Sequence, residues 1–183
     1  MEHSITNWRF QLEVVQQPIH ARMSGFGEDR GRRLISPLPF VRLRILDGNK
    51  PINIDSIDAG FFILQANLHE FQSGLEVTSM YLIGEKFANG QKLEDTSGNQ
   101  DIWFVYKDLS VRSDGQFFFE FNLICIGWQG SINLGFMPIN VLESVRSNTF
   151  TVFSSRTFPG MIDPTPLSRC FAKQGNKIPS RSK

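Results

Sequence analysis

Gln116-Phe117-Phe118-Phe119-Glu120-Phe121-Asn122-Leu123-Ile124-Cys125-Ile126-Gly127-Trp128 is the stretch that decides the fold. In an extended chain Phe117, Phe119, Phe121, Leu123 and Cys125 share one face, while Phe118, Ile124 and Ile126 keep the other partly apolar. That period of two is the period of a strand. A strand that is apolar on both sides is central in its sheet or meets an interface. Upstream, Ser113-Asp114-Gly115 supplies the turn that lets such a strand begin.

Working outward, the same period recurs. Trp8, Phe10, Leu12 and Val14 alternate with Arg9, Gln11 and Glu13, and Pro18 stops the run. Pro37 and Pro39 straighten the chain into a strand near 40–46, with Val41, Leu43 and Ile45 on one side and Arg42 and Arg44 on the other. Asp47-Gly48-Asn49 is a turn signal. Phe62, Leu64, Ala66 and Leu68 are the inward positions of a third strand over 61–69. Residues 78–83 form a weaker strand candidate, 84–100 read as a long variable loop, 102–106 as a buried strand and 150–154 as the last strand. The period then changes. Thr165 caps a short helix, Pro166 fits its first position, Gly175 fits just past its end, and Leu167, Cys170 and Phe171 form its docking face. Many short strands, one or two short helices and no βαβ alternation point to an all-β antiparallel β-sandwich. Seventeen phenylalanines fit such an interior. At 183 residues the chain is expected to form one domain, with a core over about 8–179 and a basic tail at 180–183.

Composition narrows the function. The net charge is only +1, so no global field drives polyanion binding, but the charge is unevenly spread. Residues 20–50 hold seven basic side chains against three acids, and residues 169–183 hold five basic ones and no acid. The segment 51–168 holds thirteen acids against six bases. Such asymmetry suggests one side facing a polyanion. Cys125 and Cys170 have no metal spacing and cannot build a disulfide framework; both sit in apolar patterns and are expected to be buried free thiols, as in a reducing compartment. Charged and polar residues follow Met1, so no secretory leader is expected, and no apolar run is long enough to span a membrane.

Catalytic chemistry finds few residues to work with. His3, His20 and His69 have no ligand spacing, and neither a nucleophile elbow nor a Walker loop is present. Gly25-x-Gly27-x-x-x-Gly31 lacks the Lys-Ser/Thr ending of a phosphate loop and leads into Pro-rich chain rather than a helix. No enzyme, cofactor or metal site is expected. The same glycines instead frame Arg22, Arg30, Arg32 and Arg33, in a loop between two strands. Several guanidinium groups on a pliable loop suit a phosphate-lined surface, and a bidentate fork suits a guanine edge in the major groove. Arg42 and Arg44 on the next strand, and Lys50 after its turn, either extend this basic surface or are simply solvated.

The run Val15-Gln16-Gln17-Pro18-Ile19-His20-Ala21-Arg22-Met23-Ser24-Gly25-Phe26-Gly27 resembles the opening of the velvet domain of fungal developmental regulators. Arg32-Arg33 before Pro37-Leu38-Pro39 is similar to that family's arginine pair and proline-rich approach to the next strand. Phe150-Thr-Val-Phe, Phe158-Pro159-Gly160-Met161 and Leu167-Ser-Arg-Cys-Phe-Ala-Lys-Gln-Gly-Asn-Lys-Ile-Pro179 match its closing segment. Gly31, between Arg30 and the arginine pair, and Leu38, within the proline run, depart from the pattern.

The resemblance implies an immunoglobulin-like β-sandwich similar to the Rel-homology DNA-binding domain. It implies a homo- or heterodimer that binds double-stranded promoter DNA and controls sporulation and secondary metabolism. It also implies residence in the nucleus with shuttling from the cytoplasm, and a regulatory methyltransferase as a further partner. By position, it assigns DNA contact to Arg22, Arg32 and Arg33, with Arg30 close by. A module that only dimerises with another velvet protein and recruits a partner, without touching DNA, is the alternative.

Overall fold

The structure is a computed structural model, and it describes residues 8–27, 33–126 and 141–178. Thirteen strands and two helices follow one another among these residues: β1 (Trp8–Gln16), β2 (His20–Arg22), β3 (Phe40–Asp47), β4 (Lys50–Pro51), β5 (Phe62–Glu70), α1 (Thr78–Tyr81), β6 (Leu82–Ile83), β7 (Phe87–Asn89), β8 (Gln91–Glu94), β9 (Gln100–Val105), β10 (Ser110–Val111), β11 (Gly115–Cys125), β12 (Val141–Arg146), β13 (Phe150–Phe153) and α2 (Pro166–Lys173). The first sheet has the order β1-β3-β9-β8, with β4 also on β3. The second has the order β2-β13-β11-β5-β7, with β12 also on β11. β6 and β10 form a small ribbon of their own. Every pairing is antiparallel except β2 with β13.

β11 is central, one of the two outcomes that its two-sided apolarity suggested. It pairs with β5 along most of its length on one side, and with β12 and then β13 on the other. Phe117, Phe119, Phe121 and Leu123 are buried and share one apolar core with Val41, Leu43 and Ile45 of the first sheet. The rings of Phe119, Phe121 and Phe150 stack at 5.3–5.4 Å. Burying one such ring is worth about 1.5–3 kcal/mol. Tyr106 sits in the same core against Phe121, and its hydroxyl donates to the Leu64 carbonyl at 2.8 Å.

The chain crosses between sheets at punctuating residues. Pro18 ends β1 in the first sheet and β2 begins in the second, a strand switching sheets at a corner. Gly90 joins β7 of the second sheet to β8 of the first. A Cβ at Gly90 would meet the Ala59 carbonyl oxygen at 2.4 Å, so no larger residue fits that crossing without a backbone shift. A bulge at Val15 places Gln16 opposite Phe40. There Gln16 donates to the Leu38 carbonyl and to Ser168 Oγ, tying β1 to α2.

α2 follows the capping pattern its sequence carries. Thr165 Oγ1 accepts from the Ser168 amide, Pro166 opens the helix, and Gly175 adopts φ +94° just past its end. Phe171 is buried against Phe40 and Trp103. These lie on the same face of the first sheet as Arg42, which faces Trp103 across the β3–β9 pair. With its inner face in the core and its outer face under α2, β9 is buried on both sides from Ile102 to Val105.

Three expectations need correction. Residues 78–83 are not one strand; α1 precedes a two-residue β6, because the Val77 carbonyl closes the turn by accepting from Met80 and Tyr81. Residues 84–100 are not a loop but carry β7 and β8, with the β8–β9 turn held by Asp95. The Asn99 amide is the main reason that carboxyl is held below its ordinary range. Cys125 and Cys170 are only partly buried, not buried as expected. β2, β10 and β12 were too short or too polar to stand out by alternation. The far end of the stretch 116–128, at 127–128, lies outside the described residues.

Burial pushes the Tyr106 phenol well above its ordinary pKa. Its stabilising share is therefore fully present below the unfolded value near 10 and is lost as pH rises beyond it. Chemical denaturation of Tyr106→Phe is expected to show a loss of about 1 kcal/mol at neutral pH, from the missing hydrogen bond. The variant should also lose less stability than the parent on going to alkaline pH.

Candidate nucleic-acid interface

The glycine–arginine loop leaves the second sheet from β2. Ala21 is buried, while His20 and Arg22 flank it half-exposed. His20 Nε2 lies 2.7 Å from the Gly160 carbonyl and its ring meets Phe153 and Phe158 edge-on, so the imidazole is occupied in fastening the loop stem. The chain then passes from β13 to β10. The Met23 amide donates to the Phe153 carbonyl at 2.8 Å, that of Ser24 to Val111 at 2.8 Å, and that of Gly25 to Arg112 at 2.9 Å. Gly25 turns the chain with φ +73°, a conformation glycine adopts without steric cost.

The returning stem is fastened as well. The Arg33 amide donates to Ser24 Oγ at 3.4 Å, Ile35 to the Leu109 carbonyl at 2.9 Å and Ser36 to His20 at 2.8 Å. The stems that carry Arg22 and Arg33 are thus stapled to each other and to β10. A loop presented in this way by a rigid scaffold is a common place for recognition.

Arg33 is exposed and Arg22 is half-buried, with its Nε buried and without a hydrogen-bond partner among the described residues. Arg30 and Arg32 lie outside the described residues. Two arginines that sequence reasoning missed join this end of the sandwich. Arg112 follows β10 and reaches the loop: its Nη1 donates to the Gly25 carbonyl at 3.3 Å, and its guanidinium lies 5.6 Å from the centre of the Phe26 ring. Arg156 is exposed in the turn three residues beyond Phe153, which lies opposite Arg22 in the parallel β2–β13 pair. Both fall in the acidic central segment and were averaged away by charge counting. The local signal for Arg112 was its place just before the Ser113-Asp114-Gly115 turn.

Among the described residues, none of Arg22, Arg33, Arg112 and Arg156 has a carboxylate within ion-pair distance. Arg42 and Arg44 differ. Arg42 pairs with Glu13 and, at 3.6 Å, with Asp101; Arg44 pairs with Asp101 at 3.3 Å. Arg42 also lies over the Trp103 ring at 5.6 Å. Both stand on the outer face of the first sheet, as their alternation required, with their charge largely answered by the same chain. Lys50 is exposed in β4 beyond the far end of β3, on the order of 20 Å from Phe40, where the loop's returning chain enters the sheet. Lys173 and Lys177 are exposed at the end of α2 and just beyond it.

No group of His, Cys, Asp and Glu among the described residues could hold a metal ion. What the arrangement can do chemically is bind an anion over a spread surface. Several guanidinium groups without a carboxylate partner among the described residues suit a row of phosphates.

A family profile described as Velvet factor matches residues 10–80 and 70–183. The chain is 28% identical to Velvet complex subunit 2 of Gibberella moniliformis, over 96% of this chain and 62% of that protein. It is 29% identical to the Sexual development regulator umv3 of Mycosarcoma maydis, over 98% of this chain and 47% of that protein. With the Spore development regulator RYP2 of Ajellomyces capsulatus the identity is 31%, over 92% of this chain and 42% of that protein. The chain therefore spans about half the length of these curated relatives. The sandwich, the motifs at both ends and a profile match over nearly the whole sequence agree: this chain belongs to the velvet family.

Proposed function

We propose that this chain is a transcription regulator of fungal development and secondary metabolism that binds double-stranded promoter DNA as a homo- or heterodimer. The observation that carries the DNA half is the set of guanidinium groups at one end of the sandwich that have no counter-charge among the described residues: Arg22, Arg33, Arg112 and Arg156. Arg30 and Arg32 belong to the same loop by sequence. Phosphate contacts would fix the register, and at least one loop arginine would read a guanine edge. One loop covers too few base pairs to be selective, so two copies on neighbouring half-sites supply the rest. The site of action is the nucleus, entered from the cytoplasm, and a regulatory methyltransferase belongs to the same proposal as a further partner.

Dimerisation draws on a second observation. Register places Phe61, Ile63, Phe87, Ile124, Ile126 and Val141 on the outer face of the second sheet. Phe61, Phe87, Ile126 and Val141 are 40–55% exposed. Exposed apolar side chains gathered on one sheet face in this way are typical of a protein–protein contact. The names of relatives as velvet complex subunits support the same assignment. This patch is also what favours the alternative, a module that dimerises and recruits without touching DNA. Binding to DNA discriminates between the two.

Purified protein is expected to select a defined sequence from a random duplex pool. Its log affinity should fall with log salt at a slope near −0.9 per phosphate neutralised. Arg22→Ala/Arg33→Ala should weaken binding and flatten that slope, and any arginine that reads a base should cost about 1–3 kcal/mol when replaced. Unchanged binding and slope in this folded double variant would refute the interface. Phe87→Glu/Ile126→Glu should shift sedimentation from dimer to monomer while leaving the circular dichroism spectrum intact; a dimer that persists rules the patch out. Asp101→Asn should raise non-specific duplex affinity modestly, because it releases Arg42 and Arg44 from their shared carboxylate, and elution from heparin at higher salt would register the change.

A further inference from the structure

We infer that Arg112 is a positioning residue for the glycine–arginine loop: with its guanidinium over the Phe26 ring and bonded to the Gly25 carbonyl, it holds the loop stem, and with it Arg22 and Arg33, where a duplex can meet them. The inference rests on the DNA-binding reading for its purpose, but the latch itself is a property of the free protein.

The contacts form a closed set. Backbone bonds run both ways past Arg112, its carbonyl accepting from Gly25 at 2.9 Å and its amide donating to Tyr81 at 2.9 Å. Its side chain then reaches back over the loop, with Nη1 on the Gly25 carbonyl at 3.3 Å and the guanidinium over Phe26. Phe26 meets Tyr81 edge-on at 6.3 Å, Tyr81 meets Phe117 at 6.2 Å, and Phe117 meets Phe150 at 6.3 Å. A row of rings thus leads from the loop to the core. Phe26 is 68% exposed, so its burial does not explain where it sits. Among the described residues, the Arg112 guanidinium and the Tyr81 ring are what meet it.

An arginine whose only role was to touch phosphate would need none of this. Its charge would serve equally on any exposed side chain, and lysine would serve nearly as well. In Arg112 one guanidinium meets a ring and a carbonyl at once, an arrangement that suits its flat group with several fixed donors better than the compact ammonium of lysine. A flexible loop must lose entropy when it binds, and fixing it beforehand lowers that cost. The latch lies within four residues of Arg22, so it acts on the part of the loop that carries charge.

The test uses the full chain and two charge-preserving variants, Phe26→Leu and Arg112→Lys, beside Arg112→Ala. Duplex affinity for the selected site is measured across a salt series, and amide hydrogen exchange is measured on the free protein. Both charge-preserving variants should bind roughly two- to fivefold more weakly, the loss expected for an exposed cation–π contact, with the salt slope unchanged. The Gly25 and Arg33 amides should exchange faster in both. If Arg112→Lys and Phe26→Leu bind like the parent while Arg112→Ala flattens the salt slope by about 0.9, Arg112 is a direct phosphate contact and the positioning role is overturned. Unchanged exchange at Gly25 and Arg33 overturns the latch itself. A parent protein that binds no duplex overturns the DNA reading, and with it the purpose of the latch; faster exchange in the variants would then stand on its own as a structural finding.

Discussion

Phe117, Phe119 and Phe121 cannot all be removed from water unless β11 has a strand on each side of it and a second sheet against its inner face. That constraint organises the molecule. The strand takes β5 on one flank and β12 and β13 on the other, and the first sheet closes over its rings. The loop ends of β2 and β13 are placed by the same requirement. β13 is held by β11, β2 is held by β13, and the arginine loop starts from β2. Chemistry at the end of the sandwich is thus referenced to packing at its centre.

Charge is distributed to match. On the broad outer face of the first sheet, Arg42 and Arg44 are answered by Glu13 and Asp101. Pairs of this kind remove free positive charge from the face. At the loop end, Arg22, Arg33, Arg112 and Arg156 have no such partner among the described residues. A nearly neutral protein can in this way present one cationic end without a large net field.

The fold was legible where burial is one-sided or complete. Alternation found β1, β3, β5 and β11, and capping chemistry found α2 with its cap, its first proline and its closing glycine. Short edge strands escaped for a physical reason. β7 and β8 carry only three and four residues, too few to show a period, and Gly90 between them looks like loop composition when its task is a close crossing. α1 is a single turn, and its tyrosine and methionine read equally well as strand residues. At the site, sequence proximity revealed the loop arginines but not Arg112 or Arg156, because pairing of β10 and β13 with the loop stem is a long-range event. The Arg42–Asp101 pair was hidden likewise: strand register across β3 and β9 decides it, and no local pattern carries that register.

The closure of the first sheet by α2 bears on how the polypeptide matures. Among the described residues, Phe40 and Trp103 both meet the ring of Phe171, and Gln16 finds hydroxyl partners in Thr165 and Ser168. Strands synthesised early therefore wait for a helix synthesised much later. Until that helix docks, the nascent protein holds an aromatic face open to chaperones and to other chains, and the sandwich is sealed by a late-made segment.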